Sequence, residues 1–96
     1  MPILSAQEVN DQLAKLQGWS LNQAGEISKT YPLANFPEAM LFANAIGMVA
    51  ESVQHHPDIL IHWRHVTLSL ASHDEGGLTQ RDFDMARQID ALPKNV

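Results

Sequence analysis

The sequence predicts an α+β chain whose elements run helix, strand, strand, helix, strand, strand, helix. Three observations carry that prediction. Asn35 with Glu38 and Thr79 with Asp82 each place a capping residue three positions ahead of a carboxylate, and each pair opens a stretch of helical periodicity. From His65 to Leu70 polar and apolar residues alternate, with Val66, Leu68 and Leu70 on one face, the period of a strand laid against a core. Pro57, which lacks an amide proton and biases His56 away from the α region, marks where the long helical stretch gives way to an extended chain.

Taken in order, Ser5 with Glu8 has the capping-box spacing, and Val9, Leu13 and Leu16 recur at helical intervals, so a first helix is expected over Ala6–Leu16, closed by Gly18. Trp19, Leu21, Ile27 and Tyr31 flank a polar segment with Ala24 and Gly25 at its bend, which reads as two short strands of a hairpin. Trp19 brings a large apolar area and an N–H that needs a partner, which suits the core; beside a cleft it could instead stack on a ring. The second helix follows the Asn35 cap with Pro37 in its first turn and ends near Gln54. Its inner stripe is expected to be Phe36, Met40, Ala43, Ile46, Ala50 and Val53. Leu41, Phe42, Met48 and Val49 widen the apolar surface, as expected of a helix covered on more than one side, a cover that a subunit contact could supply. Gly47, which costs about 1 kcal/mol relative to Ala in a helix interior, is read as a close approach to the sheet. Ile59–Ile61 with Trp63 suit a third strand and Val66–Leu70 a fourth, joined around His62 to His65. A turn through His73, Asp74, Glu75, Gly76 and Gly77 leads to the Thr79 cap; Phe83, Ala86, Ile89 and Leu92 then give the last helix its buried side, and Pro93 stops it. Antiparallel pairing is expected within each strand pair, with the helices collected on one face.

Composition narrows the function classes. Ninety-six residues, 45% of them apolar, suit one domain with a modest core, for which self-association is a source of further burial. Six Lys and Arg against eleven Asp and Glu, a net charge of -5 with no basic run, argue against direct binding to nucleic acid. With no cysteine there is no disulfide, thiolate nucleophile or thiolate metal site. No apolar run approaches the roughly 20 residues of a membrane span, and Met1 to Gln17 has neither a signal core nor an Arg-rich presequence, so the expected location is the cytoplasm.

The chemistry concentrates between Glu51 and Asp82, which holds all five histidines, four of them between positions 55 and 65. Imidazole has an ordinary pKa of about 6.5 and both takes and gives a proton near neutrality, so His55, His56 and His73 around one pocket would support general acid–base catalysis. Taken singly, each histidine also fits a helix-end, turn or surface role. A zinc site would need three or four converging ligands, which His55, His56, His73 and an acid could in principle supply, but neither HExxH nor another recognised ligand spacing is present. Asp82 could cap the last helix and, if that helix start faces His55 or His73, orient an imidazole. Glu51 stands four residues before His55 and is placed by helical spacing to touch it, solvent exposure being the simpler alternative. Trp63 either walls the site or covers the sheet. Gly76 and Gly77 lack the pattern of a phosphate loop and read as turn residues.

Glu51, the triplet His55-His56-Pro57, Trp63, His73 and Gly76-Gly77-Leu78 followed by Arg81-Asp82 together resemble the signature of the pterin-4a-carbinolamine dehydratases. The resemblance extends to Gly18-Trp19 and the start of the long helix, and so covers nearly the whole chain. It implies a four-stranded antiparallel sheet with three helices, a homodimer or homotetramer, and dehydration of 4a-hydroxytetrahydropterin (4a-hydroxytetrahydrobiopterin) to the quinonoid dihydropterin in tetrahydrobiopterin recycling. It implies no metal and no cofactor, the pterin being the substrate. By motif, His55, His56 and His73 are the catalytic residues: His55 and His73 the acid–base pair, His56 the group that binds and orients. Asp82, Glu51, Trp19 and Trp63 are expected around the substrate or behind the histidines. Bacterial members commonly serve an aromatic amino acid hydroxylase. A related animal protein stabilises dimers of a homeodomain transcription factor, so a protein-interaction module is the alternative reading. Trp63, where many animal members have Tyr, points to a bacterial type.

Overall fold

A computed structural model of the chain describes residues 2–94 and contains α1 (Ala6–Leu13), β1 (Ser20–Leu21), β2 (Ile27–Pro32), α2 (Phe36–Val53), β3 (Asp58–His62), β4 (His65–Leu70) and α3 (Gln80–Asp90). The strands form one antiparallel sheet in the order β1-β2-β4-β3, so the two hairpins meet through β2 and β4. The fold is α+β, with the expected order of elements and three helices on one face. Val66, Leu68 and Leu70 of β4 and Ile27 and Tyr31 of β2 turn inward and meet Val9 of α1, Phe42 and Ile46 of α2 and Phe83 and Ile89 of α3 in one buried cluster. Full burial of side chains of this size contributes about 1.5–3 kcal/mol each. Thr30 and Thr67 face the other way and share a 2.8 Å hydroxyl contact on the helix-free face. Among the described residues no helix is long and apolar enough to cross a membrane.

Each helix start is fixed locally. Ser5 Oγ accepts the Glu8 N–H while Glu8 Oε1 accepts the Ser5 N–H, and Asn35 Oδ1 accepts the Glu38 N–H. α1 is shorter than expected: after Leu13 the chain tightens into bonds from Lys15 N–H to Gln12 and from Leu16 N–H to Leu13, and Gly18 leaves with φ 81°. Leu16 still packs against the core.

One expectation for α2 holds only in part and another fails. Ile46 and Ala50 are buried as expected, but Ala39 and Phe42 complete the buried stripe, while Phe36, Met40 and Val53 are exposed. Both sets have helical spacing in a helix that is apolar on several sides, so periodicity alone cannot choose between them. Gly47 faces open space, with nothing within 4 Å of where a Cβ would stand, so no close approach to the sheet requires it.

Trp19 belongs to a polar anchor at the far end of α3. Asp90 accepts from Trp19 Nε1 at 3.1 Å, from Lys29 Nζ at 2.8 Å and from the Tyr31 hydroxyl. Burial, with the hydrogen bond and charge of Asp90, pushes the Tyr31 hydroxyl far above its ordinary range. Desolvation works to raise the Asp90 carboxyl, but the bonds from Lys29, Tyr31 and Trp19 outweigh it and hold the group below its ordinary value.

Candidate active site

The site forms where α2 ends. Gln54 turns into the left-handed region at φ 54°, and the His55 N–H bonds back to the Ala50 carbonyl at 3.1 Å, the six-to-one bond of a Schellman cap. A left-handed non-glycine residue costs on the order of 1 kcal/mol, partly offset here because Gln54 Nε2 donates to the Glu51 carbonyl at 2.8 Å. Beyond this cap the chain is extended toward Pro57, so successive side chains take opposite sides: His55 is buried and His56 exposed.

His55 Nε2 lies 2.5 Å from Asp82 Oδ1. Asp82 is fully buried in the first turn of α3, and its other oxygen accepts from the Thr79 N–H at 2.9 Å and the Ser72 hydroxyl at 3.0 Å. Ser72 has one proton and gives it to Asp82, so the 2.8 Å contact between Ser72 and Thr79 is donated by the Thr79 hydroxyl. A carboxylate Oδ1 can only accept, so an ionised Asp82 selects the His55 tautomer with its proton on Nε2; Nδ1 makes no hydrogen bond among the described residues. Ser72 extends the inward alternation of Val66, Leu68 and Leu70 by one step, which is how a hydroxyl reaches this depth. That phase was the available sequence signal for Ser72.

His56 Nε2 meets Glu51 Oε1 at 2.9 Å, both side chains being exposed. The expected Glu51–His55 contact is thus replaced by Glu51–His56, because the left-handed turn at Gln54 ends helical spacing before position 55. His73 stands on the loop after β4, which folds over the Ser72 carbonyl: Glu75, Gly76 and Gly77 N–H groups all point at it, and Gly76 takes φ 85°. There His73 Nε2 is 3.5 Å from Glu26 Oε2.

These groups share a cleft of about 230 Å³. Gln54, His55 and His56 line it from the end of α2, Ala71, His73 and Asp74 from the β4 loop, and Arg81 from α3. A second cavity of about 220 Å³ shares His55 and Arg81 and is walled by Val53, Met85, Asp84 and Gln88. Arg81 donates through Nη2 to both Asp74 oxygens, at 2.9 and 3.3 Å, while its buried Nε has no partner among the described residues. Desolvation acts to raise the Asp74 carboxyl, and the charge and hydrogen bond of Arg81 outweigh it, leaving the group below its ordinary value. Among the described residues no group of three or more His, Asp or Glu is arranged to hold a metal ion.

Neither tryptophan joins this cleft. Trp19 is buried against Asp90, eight residues and roughly 12 Å of helix from Asp82. Trp63 sits exposed at the tip of the β3–β4 hairpin with φ 54° and the Arg64 guanidinium 5.3 Å from its ring; the site is at the hairpin's other end. Sequence proximity to the histidines was misleading because an antiparallel turn carries Trp63 away. Ser72, Arg81 and Glu26 complete the surroundings of the histidines; Arg81 belongs to the signature seen in the sequence, whereas Ser72 and Glu26 have no part in it. Glu26 left no local signal, its partner being 47 positions away.

The arrangement offers several imidazoles, one backed by a buried carboxylate, around a cleft able to move protons on a small polar molecule. Comparison with known proteins identifies the family. The profile of the family described as Pterin 4 alpha carbinolamine dehydratase matches residues 2–92. A protein of Roseiflexus sp. (strain RS-1), provisionally designated a pterin-4-alpha-carbinolamine dehydratase, is 52% identical over 89 residues, covering 93% of this chain and 95% of that protein. One of Metallosphaera sedula with the same provisional designation is 38% identical over 96 residues, covering 100% and 99%. A solved Brucella melitensis structure described as a transcriptional coactivator/pterin dehydratase superposes with a TM-score of 0.89 at 31% identity, over 94% of this chain and 97% of that one. A pterin dehydratase-like protein identified as a RuBisCO assembly factor in the alpha-carboxysome shares the fold, with a TM-score of 0.66 at 18% identity over 78% and 88% of the two chains. The chain belongs to the pterin 4 alpha carbinolamine dehydratase family.

Proposed function

We propose that the protein dehydrates 4a-hydroxytetrahydropterin to the quinonoid dihydropterin. The bond from C4a to its hydroxyl breaks with a proton delivered to the departing oxygen, N5 gives up its proton, and the N5–C4a double bond forms. His55 and His73 exchange these protons and His56 binds and orients the ring. The observation that carries this reading is the convergence of His55, His56 and His73 on one cleft, with His55 held by buried Asp82. Asp82 acts through His55 and Glu51 through His56, while the pterin requires neither metal nor cofactor. The test is turnover of chemically generated 4a-hydroxytetrahydropterin. Purified protein accelerates its loss, and replacing His55 and His73 together by Ala abolishes the acceleration; wild-type rates in that double variant would remove the assignment.

The natural setting we propose is cytoplasmic recycling of tetrahydrobiopterin for an aromatic amino acid hydroxylase, in a homodimer or homotetramer. Support for the oligomer comes from apolar side chains open to solvent, Met48 on α2 at 76% and Leu60 on edge strand β3 at 63% exposure. Those same side chains, with the coactivator and assembly-factor descriptions of the two similar structures, favour a second reading as an interaction module. A stable partner recovered with folded but inactive protein would select it.

A further inference from the structure

Each of the three cleft histidines meets a carboxylate through Nε2: His55 meets Asp82 at 2.5 Å, His56 meets Glu51 at 2.9 Å and His73 meets Glu26 at 3.5 Å. The third pair differs from the others in which member is held. His73 is 74% exposed and has no other side-chain partner among the described residues, whereas Glu26 is 15% exposed and locked. Asn22 Nδ2 donates to Glu26 Oε1 at 3.1 Å, and Asn22 Oδ1 accepts the N–H groups of Ala24 and Glu26 at 3.0 and 2.9 Å. The Asn22 N–H closes the turn on the Glu26 carbonyl at 2.8 Å. Pairing of Ile27 with Leu70 then brings this turn beside the loop that carries His73.

We propose that Glu26 is a positioning residue for His73, a role that rests on the dehydratase reading above. A carboxylate only accepts, so it keeps a proton on His73 Nε2 and turns Nδ1 toward the cleft. One ring orientation then serves both directions of proton transfer: Nδ1 takes a proton when the ring is neutral and gives it when the ring is charged. At 3.5 Å the contact is electrostatic and lies at the outer edge of hydrogen-bond reach, and the 74% exposure of His73 leaves its ring room to turn.

The discriminating variant is E26Q. Its amide oxygen can still accept from Asn22, but its NH2 faces His73 Nε2 and drives the proton to Nδ1. In two-bond 1H–15N spectra of the neutral His73 ring, the wild type shows the Nε2–H tautomer and E26Q gains Nδ1–H. In turnover, E26Q lowers kcat about two- to fivefold, the scale of an exposed ion pair, with KM and Tm unchanged. In an H73A background the same substitution has no further effect. Identical tautomer populations in wild type and E26Q, or an E26Q defect that persists with H73A, overturn the proposal. If the wild type has no turnover, the dehydratase reading fails and the spectra alone decide for or against Glu26.

Discussion

Replacing Asp82 by Asn changes one atom at the most heavily hydrogen-bonded carboxylate of the site. The Thr79 N–H and the Ser72 hydroxyl both point at Oδ2, so the amide oxygen stays on that side and the NH2 turns to His55. There it donates to Nε2 and forces the imidazole proton onto Nδ1, reversing the tautomer that the carboxylate selects. A hydrogen bond to a charged group contributes about 1.5–3 kcal/mol, and this one is buried, so D82N is expected to cost about 2 kcal/mol. At about 4–8 °C per kcal/mol for a domain of this size, Tm falls by roughly 8–16 °C. Turnover falls further, because a mispositioned acid–base group forfeits on the order of 10²-fold or more. Urea or thermal unfolding gives the first quantity, and loss of 4a-hydroxytetrahydropterin well below the lowered Tm gives the second. A D82N protein that melts within a degree or two of wild type and turns over at a similar rate would refute the Asp82–His55 argument.

Further expectations concern the anchor at Asp90 and the exposed apolar surface. Tyr31 has a raised folded-state pKa, so its stabilising contribution is complete below its ordinary value of 10.0 and is lost as pH rises above that value. Tm therefore falls above this pH, and Y31F flattens the fall; an unchanged alkaline slope in Y31F would contradict the anchor. Asp90 is lowered, so its contribution is present above 3.8 and lost as pH falls through the lower folded value; D90N should shrink the acid-side loss of Tm. Placing a charge on the exposed surface, as in M48E or L60K, should lower the oligomeric state seen by sedimentation without loss of helix content, and an unchanged mass would remove these side chains from the interface.

Much of this fold was legible because its signals are local. Ser5 with Glu8 and Asn35 with Glu38 announce helix starts within four residues, and the alternation from His65 to Leu70 announces a strand with its core face already assigned. Legibility ended where one local pattern fits two arrangements. In α2, Phe36-Met40 and Ala39-Phe42 both obey helical spacing, and only the sheet beneath selects the second. Helical spacing pairs Glu51 with His55, but the helix stops one residue too soon, at left-handed Gln54. The histidines themselves were conspicuous. Their partners were less so: Ser72 could be found by continuing the β4 phase, but Glu26 reaches His73 only through the pairing of two hairpins.

The most direct measurement is the rate at which 4a-hydroxytetrahydropterin disappears with and without the purified wild-type protein, at a pH where spontaneous loss is slow. The account predicts a saturable acceleration, proportional to protein, with water and quinonoid dihydropterin as the products. Folded protein that leaves the spontaneous rate unchanged would contradict it.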